Sequence, residues 1–173
     1  MARVAGTLSL SGMARPLRSE LALLGTESGS RIGLFALDLA GLEDAGAGCL
    51  VGVTSSGSGT SKLIVNQSRF LMLPWVRVKG LASKILAHSA RQMPQDWQTR
   101  HGLRPLLLET LVDAMRFRGT CYRAANWIHL GQTSGRGRMD REHKAHGEAV
   151  KDIYVYPLVD DVRQRLCRYP CGK

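Results

Sequence analysis

The stretch that most constrains the fold lies between residues 106 and 138, where a short apolar run carries a carboxylate. Residues 106–112, LLLETLV, are too few for a typical helix and apolar enough for a strand buried on both faces. Glu109 sits in the middle of this run, where burial without a partner costs a carboxylate several kcal/mol. Two interpretations stay open: Glu109 points out of the sheet towards an arginine, or it is a general base or ligand contact at a strand end.

A glycine and a short helix follow this run. Gly119 breaks the chain, and Thr120 is the predicted N-cap of a helix that ends at Asn126. Tyr122 and Asn126 are four residues apart, so such a helix places both on one face. Residues 127–132 then predict another strand.

Periodic patterns predict further elements on either side. Residues 70–78 predict a strand in which Pro74 marks an edge or a bulge, because proline cannot donate to a β-ladder. Residues 81–93 carry apolar side chains at helical spacing, and Pro94 is expected to stop or kink this helix. The patterns near the C-terminus predict one strand and one helix, over residues 152–158 and 159–168.

The net positive charge is confined to one part of the chain. The 173 residues carry a formal net charge of +10, from 24 Lys and Arg against 14 Asp and Glu. Residues 1–62 hold five basic and five acidic residues, so the rest of the chain carries the whole excess. This charge favours a polyanionic partner over a neutral one.

Composition also bears on membranes, redox state and metals. No run approaches the roughly 18 apolar residues of a membrane span, and the N-terminus lacks the pattern of a signal peptide. The four scattered cysteines are typical of reduced thiols in a cytoplasmic protein. A zinc site combining the last two of them with the histidines at positions 143 and 146 is not predicted, because the spacing is loose. The cysteines are Cys49, Cys121, Cys167 and Cys171.

Arginines surround the central stretch, together with a tryptophan. Guanidinium groups suit bidentate phosphate contacts, and an aromatic ring can stack on a base. The alternative is a basic surface without a ligand, since charge alone indicates nonspecific association. The residues predicted to contact nucleic acid are Arg118, Arg123, Trp127, Arg136 and Arg138.

Four blocks of the chain resemble a known family. They are RFLMLPWVRVKGLAS, LLLETLVD, RFRGTCYRAANWIHLGQTSGRGR and KDIYVYPL. They look like consecutive blocks of the domain-of-unknown-function family that includes the Druantia anti-phage protein A, and similar segments are found joined to DDE transposases. The resemblance implies a bacterial protein of anti-phage defence or transposition. Its partners would be nucleic acid and other defence or transposition proteins.

The order of the segments also resembles the second half of a GNAT-type acyltransferase. The predicted fold class is therefore α/β (α+β), a GNAT-like mixed sheet with flanking helices and an incomplete or irregular N-terminal half. This resemblance implies a bulged strand at residues 70–78, of which residues 75–77 line a cleft. An acyl-CoA such as acetyl-CoA is the cofactor of this alternative, whereas the nucleic-acid hypothesis expects none.

The GNAT resemblance implies catalytic roles as well. Glu109 would be the base or a substrate contact, Tyr122 the acid towards the leaving thiolate, and Asn126 shares the short helix with Tyr122. The start of the helix at residue 81 would hold phosphates, although the two-glycine pyrophosphate loop of working GNAT enzymes is absent. The residues implied in this phosphate contact are Lys79, Gly80, Ala82 and Ser83.

Residues 1–62 have a different character. They are rich in Gly, Ser, Ala and Leu, contain no Trp or Tyr, and end in a Gly/Ser linker over residues 54–62. Taken as they stand, residues 31–39 and 49–53 predict strands. The upstream blocks of the family are missing from this part of the chain.

A change of reading frame accounts for the missing blocks. Residues 31–52, back-translated with allowed codons and read one nucleotide later, give ALGCLRLTSPAWRTRARDAWLG, which resembles the family pattern. We therefore predict a frameshift near residues 60–63, an out-of-frame or disordered segment over 1–62, and a domain over 63–173. A third hypothesis is that the chain is an inactive gene remnant.

Overall fold

The computed structural model of the chain describes residues 63–133 and 150–168, the backbone of four further strands and the side chain of Leu37. None of the described helices combines the length and hydropathy of a membrane span. In chain order the elements are β1 (Ser19–Gly25), β2 (Arg31–Leu39), β3 (Ile64–Met72), α1 (Leu81–His101), β4 (Leu107–Asp113), α2 (Thr120–Ala124), β5 (Ile128–Gln132), β6 (Arg138–Met139), β7 (Ala145–His146), β8 (Lys151–Pro157) and α3 (Val162–Arg168).

Six of the strands form one mixed sheet, in the order β1-β2-β3-β4-β8-β5, and β6 pairs with β7. Neighbouring strands of the large sheet are antiparallel except β3 and β4, which are parallel. Parallel neighbours need a long crossover connection, and α1 supplies it. The predicted class, a mixed sheet with flanking helices, is confirmed.

The two parallel strands diverge part-way along. β3 and β4 pair at only three positions, the last being Asn66 opposite Glu109. Beyond this point β3 continues beside β2 alone, and their register shifts at Ser68. A bulge bends a strand and increases its twist, so β3 turns away from β4.

The predicted strand over residues 70–78 has different bounds in the structure. β3 begins at Ile64 and ends at Met72, and Pro74 lies in the turn after it. In this turn the Val76 N–H donates to the Leu73 carbonyl over 2.9 Å. The bulge predicted at Pro74 lies instead at Ser68, because proline is already suited to a turn by its fixed φ.

The first helix passes through Pro94 and ends at His101, so of the two predicted effects of the proline, a stop or a kink, the stop is wrong. Both Pro94 and Trp97 are buried, and the Trp97 ring lies 4.4 Å from that of His101. Burial of the indole offsets the hydrogen bond that proline cannot donate. Gly102 caps the end of the helix, and its φ of 68° allows its N–H to donate to the Gln98 carbonyl over 2.9 Å.

Helices cover both faces of the sheet, and each covered face has its own core. We call them the α1 face, which α2 also covers, and the α3 face. The α1 face buries Val65, Leu86, Leu108, Val112 and Tyr154, together with Leu37 of β2. The α3 face buries Ile64, Leu107, Val155 and Leu166.

The remaining predicted elements are confirmed with small shifts of their bounds. β4, β5 and β8 correspond to the strands predicted at residues 106–112, 127–132 and 152–158, and α3 to the terminal helix. β2 coincides with the strand interpretation of residues 31–39 and pairs with β3. The strand interpretation of residues 49–53 lies outside the described residues.

Candidate nucleic-acid interface

The loops after β3 and β4 lie at the same end of the sheet, because these strands are parallel. β8 runs antiparallel to β4, so its first residue, Lys151, pairs with Asp113 at this end. β5 also ends here, where the Thr133 N–H donates to the Lys151 carbonyl over 2.8 Å. We call residues 73–80, 113–119 and 150–151 the basic end.

Cations outnumber anions at the basic end, which contains five Lys and Arg and one Asp. All five cationic side chains are exposed. Asp113 receives the Nε of Arg116 at 3.5 Å and the Met115 N–H at 3.0 Å, so its charge is shared with one of the cations. The surface is therefore positively charged and attracts polyanions. The five cations are Arg77, Lys79, Arg116, Arg118 and Lys151.

Exposed aromatic rings occur at the same end. Trp75 is 71% exposed and Phe117 is 63% exposed. Every other Phe, Tyr and Trp side chain that the structure describes is buried or half-buried. Aromatic rings among cations are the combination with which proteins hold bases and phosphates together.

Hydrogen bonds fix the backbone that carries these rings. The turn after β3 is closed by the bond from Val76 to Leu73, and the Val76 side chain packs against the core of the α1 face. The Phe117 N–H donates to the Asp113 carbonyl over 2.9 Å. The Arg123 guanidinium donates to the Arg118 carbonyl over 2.8 Å, which ties α2 to the second loop. Both rings are thus presented from defined turns.

Of the residues predicted to contact nucleic acid, Arg118 lies at the basic end and Arg123 on α2, and both are exposed. Trp127 is buried, with its ring edge-on to Tyr122 at 5.3 Å. The prediction that Trp127 stacks on a base is therefore wrong for this fold. Arg136 and the side chain of Arg138 lie outside the described residues.

Sequence reasoning placed Trp75 and Arg77 at a cleft but missed Phe117 and Lys151. A signal for Phe117 was present, since the chain alternates large apolar residues and arginines directly after a buried strand, in MRFR. Such residues have no core to fill in a turn, so their exposure is informative. Lys151 is brought to this end only by the pairing of β8 with β4, which no local pattern shows.

Asn126 ends α2 rather than sharing a face with Tyr122. The helix stops at Ala124, and Asn126 adopts a φ of 63°. The Trp127 N–H donates to the Tyr122 carbonyl at 3.0 Å and the Asn126 N–H to the Arg123 carbonyl at 3.1 Å, the two bonds of a Schellman motif. Asn126 is exposed and suits this left-handed position, so the structure gives it a helix-ending role, and its catalytic role stays a prediction.

Tyr122 belongs to a buried polar cluster at the point where β3 and β4 diverge. Its hydroxyl donates to Gln67 Oε1 over 2.9 Å, and Thr110 Oγ1 donates to the Gln67 carbonyl over 2.9 Å. The Tyr122 ring stacks on that of Tyr154 at 5.4 Å. The Thr110 bond satisfies a carbonyl for which the ladder with β4 offers no partner.

Burial raises the pKa of Tyr122 to about 12, above its ordinary value of 10.0. The phenol is therefore protonated at neutral pH, and its proton is held by Gln67 inside the core. The Gln67 Nε2 atom is buried without a hydrogen-bond partner next to this hydroxyl. The cluster thus offers one amide donor without a partner, whereas the Tyr122 hydroxyl already donates its proton to Gln67.

Glu109 lies on the opposite face of the sheet from Tyr122. Glu109 pairs with Val155, which belongs to the core of the α3 face, whereas the next residue, Thr110, reaches the Tyr122 cluster. Successive side chains of a strand point to opposite faces. The predicted pair of Glu109 as base and Tyr122 as acid is therefore not brought together. Glu109 itself is buried, 4% exposed.

A histidine and a carboxylate, which sequence reasoning missed, meet on the same face as Tyr122. His129 Nε2 lies 3.3 Å from Asp152 Oδ1, and the same oxygen accepts a bond from Gln132 Nε2 at 3.0 Å. The His129 ring lies 5.0 Å from that of Tyr154. The pair is accessible from the surface, since the His129 side chain is 42% exposed.

The residues predicted to hold phosphates surround the start of α1. Gly80 has a φ of 72°, and Ser83 Oγ turns back to donate to the Gly80 carbonyl over 2.9 Å. Lys79 is exposed, and Ala82 is half-buried in the first turn. Gly80 is thus explained by its left-handed backbone. The groups available to an acyl-CoA are one cation and a helix start here, and the Gln67 amide in the Tyr122 cluster. The predicted base, Glu109, lies on the other face of the sheet.

A protein-family model described as Druantia protein DruA matches residues 55–147, more than half of the 173-residue chain. The chain belongs to this family. The match confirms the family resemblance and supports a connection of the DruA-family chain with anti-phage defence. The matched residues include the two loops of the basic end that come after β3 and β4. No curated protein matches the chain.

Solved structures with a similar fold are acetyltransferases. The chain is similar to a candidate acetyltransferase from Acinetobacter baylyi ADP1, with a TM-score of 0.51, 11% identity and coverage of 80% of this chain and 63% of that one. It is also similar to the spermidine/spermine N-acetyltransferase SpeG of Vibrio cholerae in complex with manganese ions, with a TM-score of 0.51, 10% identity and coverage of 88% and 71%. The chain spans less than two thirds of the Acinetobacter protein. These identities show the fold alone, and the predicted GNAT-like fold is confirmed.

Proposed function

We propose that this DruA-family chain binds nucleic acid through the basic end, in anti-phage defence or in transposition. The observation that carries the proposal is the presence of five exposed cations, together with the exposed Trp and Phe rings of the described residues, at one end of the sheet. No single loop or strand provides this surface, which is formed by the loops after β3 and β4 together with the start of β8. Arg136 and Arg138 stay predicted contacts.

The opposite end of the sheet serves as a comparison within the same chain. We call residues 102–106 and 158–168 the capped end. It carries two aspartates, and Asp161 pairs with Arg165 at 2.8 Å. Its described residues include no exposed aromatic ring. Arg104 and Arg163 are exposed there and can be changed without touching the basic end.

Two double variants with equal loss of charge test the proposal. Binding to a labelled DNA is measured by fluorescence anisotropy over a range of salt concentrations for Arg77→Ala with Lys79→Ala, and for Arg104→Ala with Arg163→Ala. We expect the first variant to lose roughly 10- to 30-fold in affinity near ~150 mM salt and about 1.4 to 1.8 from the slope of log K against log salt, since two phosphate contacts are removed. The second variant should stay within about 3-fold of the unchanged protein, because exposed cations far from a site act only through screened, long-range attraction.

Equal losses in the two variants would show that affinity depends on net charge and not on the basic end, which overturns the proposal. Absence of salt-dependent binding in the unchanged chain also overturns it. All four side chains are exposed, so unfolding curves of the variants should match that of the unchanged protein and exclude misfolding as the cause.

Acyl transfer is the second candidate, and the partnerless Gln67 Nε2 beside Tyr122 is the observation that favours it. This amide could donate to a carbonyl of an acyl group, and acetyl-CoA is the predicted donor of that group. His129 replaces Glu109 as the base on this face. Saturable binding of acetyl-CoA in calorimetry, lost when Lys79 and Gln67 are replaced, would favour acyl transfer, and no heat of binding would exclude it.

The inactive-remnant hypothesis rests on the predicted frameshift near residues 60–63. Reading the nucleotide sequence of the gene across codons 30–66 in all three frames tests it. Stop codons in the shifted frame, or missing tryptophan codons, would reject the frameshift. If the shifted frame restores the tryptophan-bearing block, the DNA measurements belong on the repaired chain as well, together with a test of binding to other defence or transposition proteins.

A further inference from the structure

The two loops of the basic end repeat one arrangement. Each carries one exposed aromatic ring and two exposed cations within four positions of that ring. The rings are separated from the core by neighbours that pack inwards, such as Val76 in the first loop. The two sets are Trp75 with Arg77 and Lys79, and Phe117 with Arg116 and Arg118.

The rings sit on either side of the divergence between β3 and β4. After the last paired position, Asn66 opposite Glu109, β3 runs on to Met72 and β4 to Asp113, each without the other as a partner. The loop with Trp75 comes after the first strand and the loop with Phe117 after the second. A ligand that contacts both rings must therefore extend from one loop to the other.

Exposed aromatic rings suit one form of nucleic acid better than the other. A double helix keeps its bases stacked on one another and presents phosphates on its outside, so it can engage the cations but offers no free base face to a ring. A single strand offers both a free base face and a phosphate at each nucleotide, and stacking on aromatic side chains tolerates any base.

We propose that the basic end binds single-stranded nucleic acid, with unpaired bases stacking on Trp75 and Phe117 and phosphates on the cations beside them. This inference rests on the proposed function and names its substrate class. An acidic protein is the competing partner, because tryptophan and arginine are also enriched in protein interfaces. The five cations, opposed by a single aspartate, favour nucleic acid, which carries a negative charge at every nucleotide.

Trp75 supplies its own probe for the test. Trp97 and Trp127 are 2% and 4% exposed, so a ligand that stacks on an exposed indole changes the emission of Trp75. Tryptophan fluorescence and anisotropy are measured with single strands of about 12 nucleotides, as DNA and as RNA, and with the duplex of the same sequence. We expect quenching by a single strand and not by the duplex, and an affinity for the single strand about 10-fold higher or more at equal salt.

Variants of the rings separate stacking from charge. Trp75→Ala and Phe117→Ala should each weaken single-strand binding by about 5- to 150-fold, the range for loss of one stacked base, and leave duplex binding within about 3-fold. Trp75→Phe should retain most of the affinity, since a ring remains. Met115→Ala is the matched control, because Met115 is 87% exposed on the same loop as Phe117 but has no ring.

The outcomes distinguish this inference from the proposed function. Equal binding of single strand and duplex, with no effect of the ring variants, overturns the stacking inference and leaves nucleic-acid binding in place. No binding of either form overturns both. Loss of single-strand affinity in Met115→Ala to the same extent as in Phe117→Ala would show general loss of apolar surface and also count against stacking.

Discussion

The two ends of one sheet differ in the burial of their apolar side chains. At the capped end, α3 folds back over the sheet and Leu166 is fully buried against Leu107 and Val155. At the basic end, short turns leave Trp75 and Phe117 outside. Both ends belong to the same strands, β4 and β8, so the strands themselves do not decide the difference. The helix or turn attached to each strand end decides it.

Because of this difference in burial, apolar side chains contribute differently to folding stability at the two ends. An apolar side chain under α3 is removed from water and contributes to folding, at roughly 25 cal/mol for each Å² buried. An exposed ring at the basic end contributes little of this kind, so its presence needs another reason. The comparison teaches that the exposed rings of the basic end can be altered without loss of the fold, whereas the buried apolar side chains under α3 cannot.

Replacing Leu166 should have the largest effect on stability. We expect Leu166→Ala to lower the free energy of unfolding by about 2–5 kcal/mol, because it empties a fully buried site. Phe117→Ala should change it by less than about 0.5 kcal/mol, because the ring is already in water. Urea denaturation monitored by circular dichroism measures both. Comparable losses in the two variants would break the distinction between the ends.

Two glycines with left-handed backbones allow a second comparison, one at each end. A side chain at Gly119 would overlap the buried Tyr154 hydroxyl, whereas one at Gly102 would meet nothing within 4 Å. Both have a positive φ, 62° and 68°. We expect Gly119→Ala to destabilise the fold by roughly 1–3 kcal/mol more than Gly102→Ala, the usual penalty of overpacking.

The control in this pair is built in, since the backbone cost is common to both variants. Thermal unfolding of each, measured against the unchanged protein, gives the difference directly. Adding Tyr154→Phe to Gly119→Ala should recover part of the loss, because it removes the overlapping oxygen. Equal destabilisation by the two alanines would show that Tyr154 gives way at little cost.

Tyr122→Phe should have the smallest of the three effects on stability. It removes the buried bond to Gln67, and we expect a loss of about 1–2 kcal/mol at neutral pH. Binding of nucleic acid should be unchanged, because Tyr122 lies beneath the surface of the basic end. A loss of DNA affinity with an intact fold would connect the buried cluster to binding and weaken the separation between core and binding surface.

The same variant has a predictable dependence on pH. The folded-state pKa of Tyr122, about 12, lies above its ordinary value of 10.0, so the fold favours the protonated phenol. This contribution is complete below pH 10 and is lost as pH rises towards 12. The stability gap between the unchanged protein and Tyr122→Phe should therefore narrow over this interval in denaturation curves. A gap that stays constant to pH 12 would contradict the raised pKa.

Local patterns predicted most elements of residues 63–168. β4 was visible because a strand buried on both faces must be apolar almost throughout, as LLLETLV is. Helix α1 was predicted, but with an end that is too early. It continues past Pro94 because Trp97 is buried, and this burial depends on the sheet. The division of the chain at residues 62 and 63 stays a prediction.

The candidate site was less predictable than the fold. Arg118 and Arg123 were found from the density of arginines, whereas Trp75 was placed only in the cofactor cleft that the GNAT resemblance implies. Trp127 was misassigned, because an aromatic residue next to arginines has the same local pattern whether it is exposed or buried. Glu109 and Tyr122 were grouped together because the GNAT resemblance implies a catalytic role for each. Alternation along β4 shows which of its side chains share a face, but not which face a helix will cover.

The sequence by itself determined the family, the mixed α/β class and a strong positive charge in the part of the chain from residue 63 onwards. These depend on periodicity, composition and short motifs, all of which are local. Only the tertiary structure decided that the turns after β3 and β4 and the start of β8 share one end of the sheet. That juxtaposition depends on strand order and on the parallel pairing of β3 with β4 across α1, contacts between residues that are distant in sequence.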